Sequence, residues 1–139
     1  MTLVSSPSSA PREADRASMR GASSTATIAV VVCAYTEARW DELVEAISSL
    51  DTQMRPADEI VLVIDHHDDL LARAVDRFPH VRVIPNSATK GLSGARNSGV
   101  RATSSEIVAF IDEDARATPE WLARIDARLT TDPELLGVG

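Results

Sequence analysis

Residues 107–122 read IVAFIDEDARATPEWL: five apolar residues, three acidic ones, and then Thr118-Pro119 ahead of Trp121 and Leu122. A run with no polar face marks a strand covered on both sides, the usual state of a parallel strand between helix layers. Asp112, Glu113 and Asp114 stand at its carboxyl end. Thr118 and Pro119 are good first residues for a helix, and Trp121, Leu122, Ile125 and Leu129 then recur at helical spacing.

The same alternation extends towards the N-terminus. Residues 28–33 (IAVVVC) are apolar throughout and run into Ala34-Tyr35-Thr36-Glu37; from about Trp40 a helix follows, with Leu43, Val44, Ile47 and Leu50 on one face. Residues 59–64 (EIVLVI) form the next strand, and Leu70, Leu71, Ala74, Val75 and Phe78 the next helical stripe, closed by Pro79. A third strand at 81–84 (VRVI) leads through a Gly-bearing loop to a short helix holding Arg96 and Asn97. Strands alternating with amphipathic helices predict a three-layer α/β/α fold on a mostly parallel sheet. Residues 1–26, rich in Ser, Ala, Pro, Thr and Arg without an apolar period, are expected to be a disordered tail, leaving 27–139 as the domain.

Composition narrows the function. Of 139 residues, 14 are Lys or Arg and 21 Asp or Glu, and the net charge of −7 opposes general attraction to nucleic acid or an anionic bilayer. An anionic ligand therefore needs a local site or a bound cation. The single cysteine, Cys33, lies in an apolar run, is expected to be a buried inert thiol, and excludes an internal disulfide. No stretch approaches the ~18 apolar residues of a membrane span, and the expected location is the cytoplasm, up to the inner face of a membrane.

In an open parallel sheet, ligands bind beyond the carboxyl ends of the strands, where Tyr35, Asp65 and Asp112 to Asp114 all fall. Asp112 and Asp114, spaced i and i+2, suit hard oxygen ligation of Mg²⁺ or Mn²⁺ beside phosphates. Alone, the triplet is a weak signal and reads more readily as a solvated loop or helix-start cluster. Asp65 offers an acceptor for a base N–H or a ribose hydroxyl, or forms a turn. His66, His67, Asp68 and Asp69 suggest a metal site, but Asp68 and Asp69 are natural helix-start residues. In 91–99 the glycines permit close backbone approach and Arg96 can meet phosphate or tie its helix to Asp112. An interaction domain with an incidental acidic crevice fits these residues as well.

Four segments in order, VVVCAYTEA (30–38), VLVIDHHDD (61–69), GLSGARNSGV (91–100) and IVAFIDEDARATPEWL, resemble the family 2 glycosyltransferases of GT-A fold, the Rossmann-like nucleotide-diphospho-sugar transferase fold. The resemblance runs from about Thr27 to Leu129. It implies that Ala34, Tyr35 and Glu37 line a nucleotide pocket, that Asp65 contacts the base, and that Arg96 lies near the base or diphosphate. It further implies that Asp112 meets the ribose side and that Asp114 holds Mg²⁺ or Mn²⁺ against the diphosphate. The implied partners are a nucleoside-diphosphate sugar and an acceptor of unknown identity, joined by an inverting transfer. Asp65-His66-His67 departs from the family's Asp-Asp-Gly-Ser. The chain also stops where another strand is expected, so it reads as C-terminally truncated, without the acceptor half or a match to the family's catalytic base. A noncatalytic nucleotide-binding module is the alternative.

Overall fold

Every residue of IAVVVCA at 28–34 is apolar, so the strand it forms has no face to give to water and takes the middle of the sheet. The computed structural model describes residues 2–5, 26–132 and 134–135. Five strands are found there: β1 (Thr2–Ser5), β2 (Ile28–Ala34), β3 (Glu59–Ile64), β4 (Arg82–Pro85) and β5 (Ile107–Asp112). Four helices accompany them: α1 (Trp40–Asp51), α2 (Asp68–Arg77), α3 (Leu92–Ala102) and α4 (Trp121–Thr131), with a 3-10 turn at Glu37–Arg39. The sheet order is β1-β5-β2-β3-β4, parallel except for β1, which runs antiparallel to β5.

Side chains alternate across this sheet and divide the core in two. Ile28, Val30, Val32 and Ala34 of β2 share one face with Leu62, Ile64, Ala109 and Ile111, under α1, α2 and α4. Leu43, Ile47, Leu70, Ala74, Leu122 and Ile125 supply the helices' contribution, each burial worth about 1.5–3 kcal/mol for the larger side chains. On the other face Val31, Val61, Val63, Val108 and Phe110 pack against α3 through Ala95. Gly99 lets that helix lie close, because a Cβ at that position would stand 2.5 Å from Val31 Cγ1 and 3.3 Å from Val63 Cγ2.

The parallel α/β/α architecture is as expected, and the differences are local. Residues 2–5 depart from the expected disordered tail: their backbone pairs with β5, Thr2 opposite Phe110 and Ser5 opposite Ile107, which covers an otherwise open row of N–H and C=O groups. The remainder of that tail up to 25, and residues 136–139 where a further strand was expected, lie outside the described residues. Val75 is 55% exposed rather than part of the α2 stripe, since Leu70, Ala74 and Phe78 already fill the buried face. Strand β4 is shifted by one residue, and α3 spans eleven residues rather than a short turn.

Thr118-Pro119 does not cap α4. The helix starts at Trp121, its N-cap Glu120 makes no side-chain cap bond, and Gln53 from beyond α1 does the work instead. Gln53 Oε1 accepts from Leu122 N (3.0 Å) while its Nε2 donates to Thr118 O (2.7 Å) and Ser49 O (3.1 Å). No helix among the described residues is long and apolar enough to cross a membrane.

Replacing Gly99 by alanine sets a gain in helix propensity of about 1 kcal/mol against overpacking of about 1–3 kcal/mol on β-branched neighbours that cannot rotate freely. Gly99→Ala is expected to lose about 1 kcal/mol net, read as a lower midpoint in urea denaturation; an unchanged or higher midpoint contradicts this packing.

Candidate functional site

From β2 the chain steps to β3 and β4 on one side, and later returns to place β5 on the other side of β2. The strand order therefore reverses beside β2, and the crevice beyond the carboxyl ends of β2 and β5 is where such a sheet opens to a ligand. Parallel register sets Cys33 opposite Asp112 and Ala34 opposite Ile64. A cleft of about 310 Å³ lies there, walled by Ala34, Tyr35, Arg39, Asp65, Leu92 and the acidic triplet, with Cys33 and Ala95 also lining it.

Asp65, just past β3, is 8% exposed and fixed from several sides. Its backbone N–H donates to Ala34 O (2.8 Å), Asn86 Nδ2 donates to its Oδ1 (2.9 Å), and the Gly91 N–H donates to its Oδ2 (3.0 Å). Asn86 is in turn held: Ser98 Oγ and the Ala88 N–H donate to its Oδ1, at 2.7 and 2.9 Å. The loop can close this way because Gly91 has φ 125° and because a side chain on Gly94 would collide with the Thr89 carbonyl. Asp65 is thus a preset acceptor on one wall, each oxygen retaining a lone pair.

The opposite wall is the triplet. Asp112, with its side chain 59% exposed, stands 3.6 Å from Arg96 Nη2, and the Arg96 guanidinium lies over the Phe110 ring at 5.5 Å. The tie between α3 and the Asp112 region is therefore present, and Arg96 lies beside the cleft, in a small pocket it shares with Asp112, rather than on its wall. Asp114 is likewise exposed, 3.7 Å from Arg39 Nη1. Glu113 is only 5% exposed; Arg39 Nη1 is 3.5 Å from its Oε1, while its Oε2 has no hydrogen-bond partner. Burial pushes the Glu113 carboxyl above its ordinary value of 4.5, against the lowering effect of Arg39.

Other residues take lesser places. Tyr35 is 55% exposed at the rim. Glu37 sits in the 3-10 turn, which Thr36 caps by accepting from Ala38 N, and is not among the cleft's lining residues. Cys33 is half-buried, and burial raises its thiol to about 12, so it is a protonated floor residue. His67 Nδ1 accepts from Leu70 N as the N-cap of α2, and His66, at φ 53°, donates from Nε2 to Ala88 O. Both imidazoles serve local structure. Among the described residues no three His, Cys, Asp or Glu side chains form a group able to hold a metal. A hard cation would find the single exposed carboxylates of Asp112 and Asp114, a donor set that fits Mg²⁺ or Mn²⁺ when phosphate oxygens and water complete the shell.

The sequence places Glu113 at the cleft with its two neighbours but does not show its burial, and it shows neither Arg39 as a cleft residue nor the Asn86–Ser98 brace. Glu113 sits in the turn after β5 and not in the strand, so strand alternation gives no signal of its burial. Arg39 had no signal either, because the carboxylates it meets lie 74 and 75 positions on in sequence.

A parallel sheet with an acidic cleft at its point of reversal is the build of the GT-A nucleotide-sugar transferases. Residues 29–138 match the family model described as Glycosyl transferase family 2, and the chain belongs to that family. It is 29% identical over 115 residues to the glucosyl-dolichyl phosphate glucuronosyltransferase of Haloferax volcanii, covering 81% of this chain and 37% of that protein. Among solved structures it resembles glucosyl-3-phosphoglycerate synthase from Mycobacterium tuberculosis in complex with Mn²⁺, UDP and glucosyl-3-phosphoglycerate. That match has a TM-score of 0.60 at 27% identity and covers 83% of this chain and 42% of that one. It also shares its fold with S. aureus TarS in complex with UDP-GlcNAc, with a TM-score of 0.62 at 20% identity over 76% of this chain and 31% of that one. The chain thus spans well under half the length of these relatives.

The raised Glu113 carboxyl has a consequence for stability. Below its ordinary range it is protonated in both folded and unfolded states and costs nothing in charge burial. As pH rises from about 4.5 through the higher folded value, the unfolded state gives up its proton first, and that stability is lost. Glu113→Gln has no proton to lose, so in metal-free buffer its melting temperature is expected to rise relative to the parent between about pH 4 and pH 7; a difference that stays flat across that range contradicts the buried charge.

Proposed function

We propose that residues 27–139 supply the donor site of a glycosyl transfer, binding a nucleoside-diphosphate sugar in the cleft between β2 and β5. The observation that carries this is the meeting of Asp65 with Asp112 and Asp114 on opposite walls of one cleft in a chain of this family. On this reading Ala34, Tyr35 and Glu37 flank the nucleotide, the pinned Asp65 carboxylate accepts from the base, and Asp112 meets the ribose hydroxyls. Arg96, held by Asp112, lies near the base or diphosphate. Asp114 is the ligand for Mg²⁺ or Mn²⁺, in line with the Mn²⁺ and UDP of the mycobacterial synthase.

A divalent cation at that carboxylate supplies Lewis-acid stabilisation of the charge that develops on a diphosphate leaving group. The chain's own residues hold the nucleotide end of the donor in place. The resemblance to the inverting family 2 enzymes is what supports reading the transfer as a single displacement with inversion. Deprotonating the acceptor hydroxyl takes a general base within hydrogen-bond reach, and we assign that role to no residue of this chain.

A ligand that binds only the native state raises apparent stability. Thermal melts with UDP, GDP and their sugars, with and without Mn²⁺, are expected to show a nucleotide shift that Mn²⁺ enlarges. Asp114→Ala is expected to abolish the Mn²⁺-dependent part and leave the melting temperature of the free protein near that of the parent. Absence of any shift with every combination overturns the donor-site reading, and an unchanged metal dependence in the variant moves the cation elsewhere. In any transferred product the anomeric configuration is expected to be opposite to that of the donor by proton NMR; retention rules out single displacement.

A further inference from the structure

The roles assigned so far leave one cation on the cleft wall unused. Arg39 ends the 3-10 turn, with Nη1 3.5 Å from Glu113 Oε1 and 3.7 Å from Asp114 Oδ2, and its guanidinium 5.9 Å from the Tyr35 ring centroid. Its side chain is 44% exposed, whereas Glu113 is buried.

Glu113 is an expensive residue to place there. It carries charge into a buried position, and its Oε2 remains without a partner, which disfavours its charged form. The carboxylate takes a hydrogen bond from the Tyr35 backbone and also holds a guanidinium against the rim of the cleft, beside Tyr35 and within reach of Asp114. An aliphatic side chain would fill the same space more cheaply.

Asp114 is also the ligand assigned to the divalent cation. A cation on that carboxylate would stand close to the Arg39 guanidinium, now 3.7 Å from Asp114 Oδ2, and like charges at such range repel in a partly desolvated cleft. Ligation of Asp114 therefore frees Arg39 from that carboxylate while Glu113 keeps it at the wall. The fork of N–H donors on arginine matches phosphate oxygens closely.

We propose that Arg39 is a diphosphate-binding residue, paired with Asp114 and Glu113 as seen here and turned onto the donor's phosphates when a divalent cation takes Asp114, with Glu113 as its positioning residue. This rests on the reading of the cleft as a donor site. It makes the effect of Arg39 opposite in sign for the two ligands: the side chain competes with the cation and assists the nucleotide.

Calorimetric titration of the 139-residue chain with Mn²⁺ alone, and with UDP and GDP at saturating Mn²⁺, separates these effects. Arg39→Ala is expected to bind Mn²⁺ alone about threefold more tightly, through loss of an exposed ion pair, and the preferred nucleoside diphosphate about tenfold more weakly, through loss of a charge-assisted phosphate contact. Arg39→Gln is expected to change both affinities in the same directions, and decides the matter if the alanine variant melts early. Glu113→Gln is expected to weaken the nucleotide by a smaller factor, because Arg39 remains but is no longer held. Nucleotide affinity in both Arg39 variants within twofold of the parent overturns the proposal, as does weaker binding of Mn²⁺ alone. If the parent binds neither nucleotide with or without Mn²⁺, the donor-site reading itself fails and this inference falls with it.

Discussion

Both faces and both edges of β2 are occupied by protein, and the rest of the molecule follows from that constraint. A strand so enclosed must be apolar in sequence, and its backbone groups pair with β3, β5 and the residues flanking β3, Asp58 and Asp65. Satisfying both edges with parallel partners forces the chain to build outward on one side and then return to the other. The return leaves a seam between β2 and β5 that no crossover helix covers at its carboxyl end. The cleft is a product of this topology, and the residues that follow each strand, Tyr35, Asp65 and the acidic triplet, are delivered to it by register.

The elements most legible in the sequence were those whose pattern is self-contained. Unbroken apolar runs gave β2, β3 and β5 within a residue of their bounds, since a strand buried on both faces tolerates nothing else. The eleven-residue α3 was read as a short helix because Ser93, Gly94 and Gly99 are poor helix formers and its packing face is made of small residues, which leave no strong apolar stripe. The start of α4 was misassigned for a different reason: its capping group, Gln53, is 69 positions away, and local propensity at Thr118-Pro119 offered a plausible substitute.

The candidate site divides in the same way. Acidic residues at strand ends are visible from position alone, and the family pattern raised their standing. Their inequality is visible only in three dimensions. Asp112 and Asp114 face solvent, while Glu113 is folded inward, so three adjacent carboxylates have two different environments. Asp65, which sequence left between a turn and a ligand contact, fastens the 86–91 loop with its two oxygens while its side chain lines the cleft. A contact that is fixed at folding spends little orientational freedom when a ligand arrives.

The Gln53 brace bears on how this region tolerates change in length. The stretch carrying the acidic triplet is anchored at one end by the register of β5 and at the other by a side chain from the far end of α1. An added or deleted residue between these anchors has no slack to absorb it: either Asp114 leaves the cleft or Leu122 loses its cap. Insertions are therefore poorly accommodated from 112 to 120, where spacing and chemistry are bound together, and the turn after α1 is tied to the same stretch through Met54 N and Pro119 O (2.8 Å).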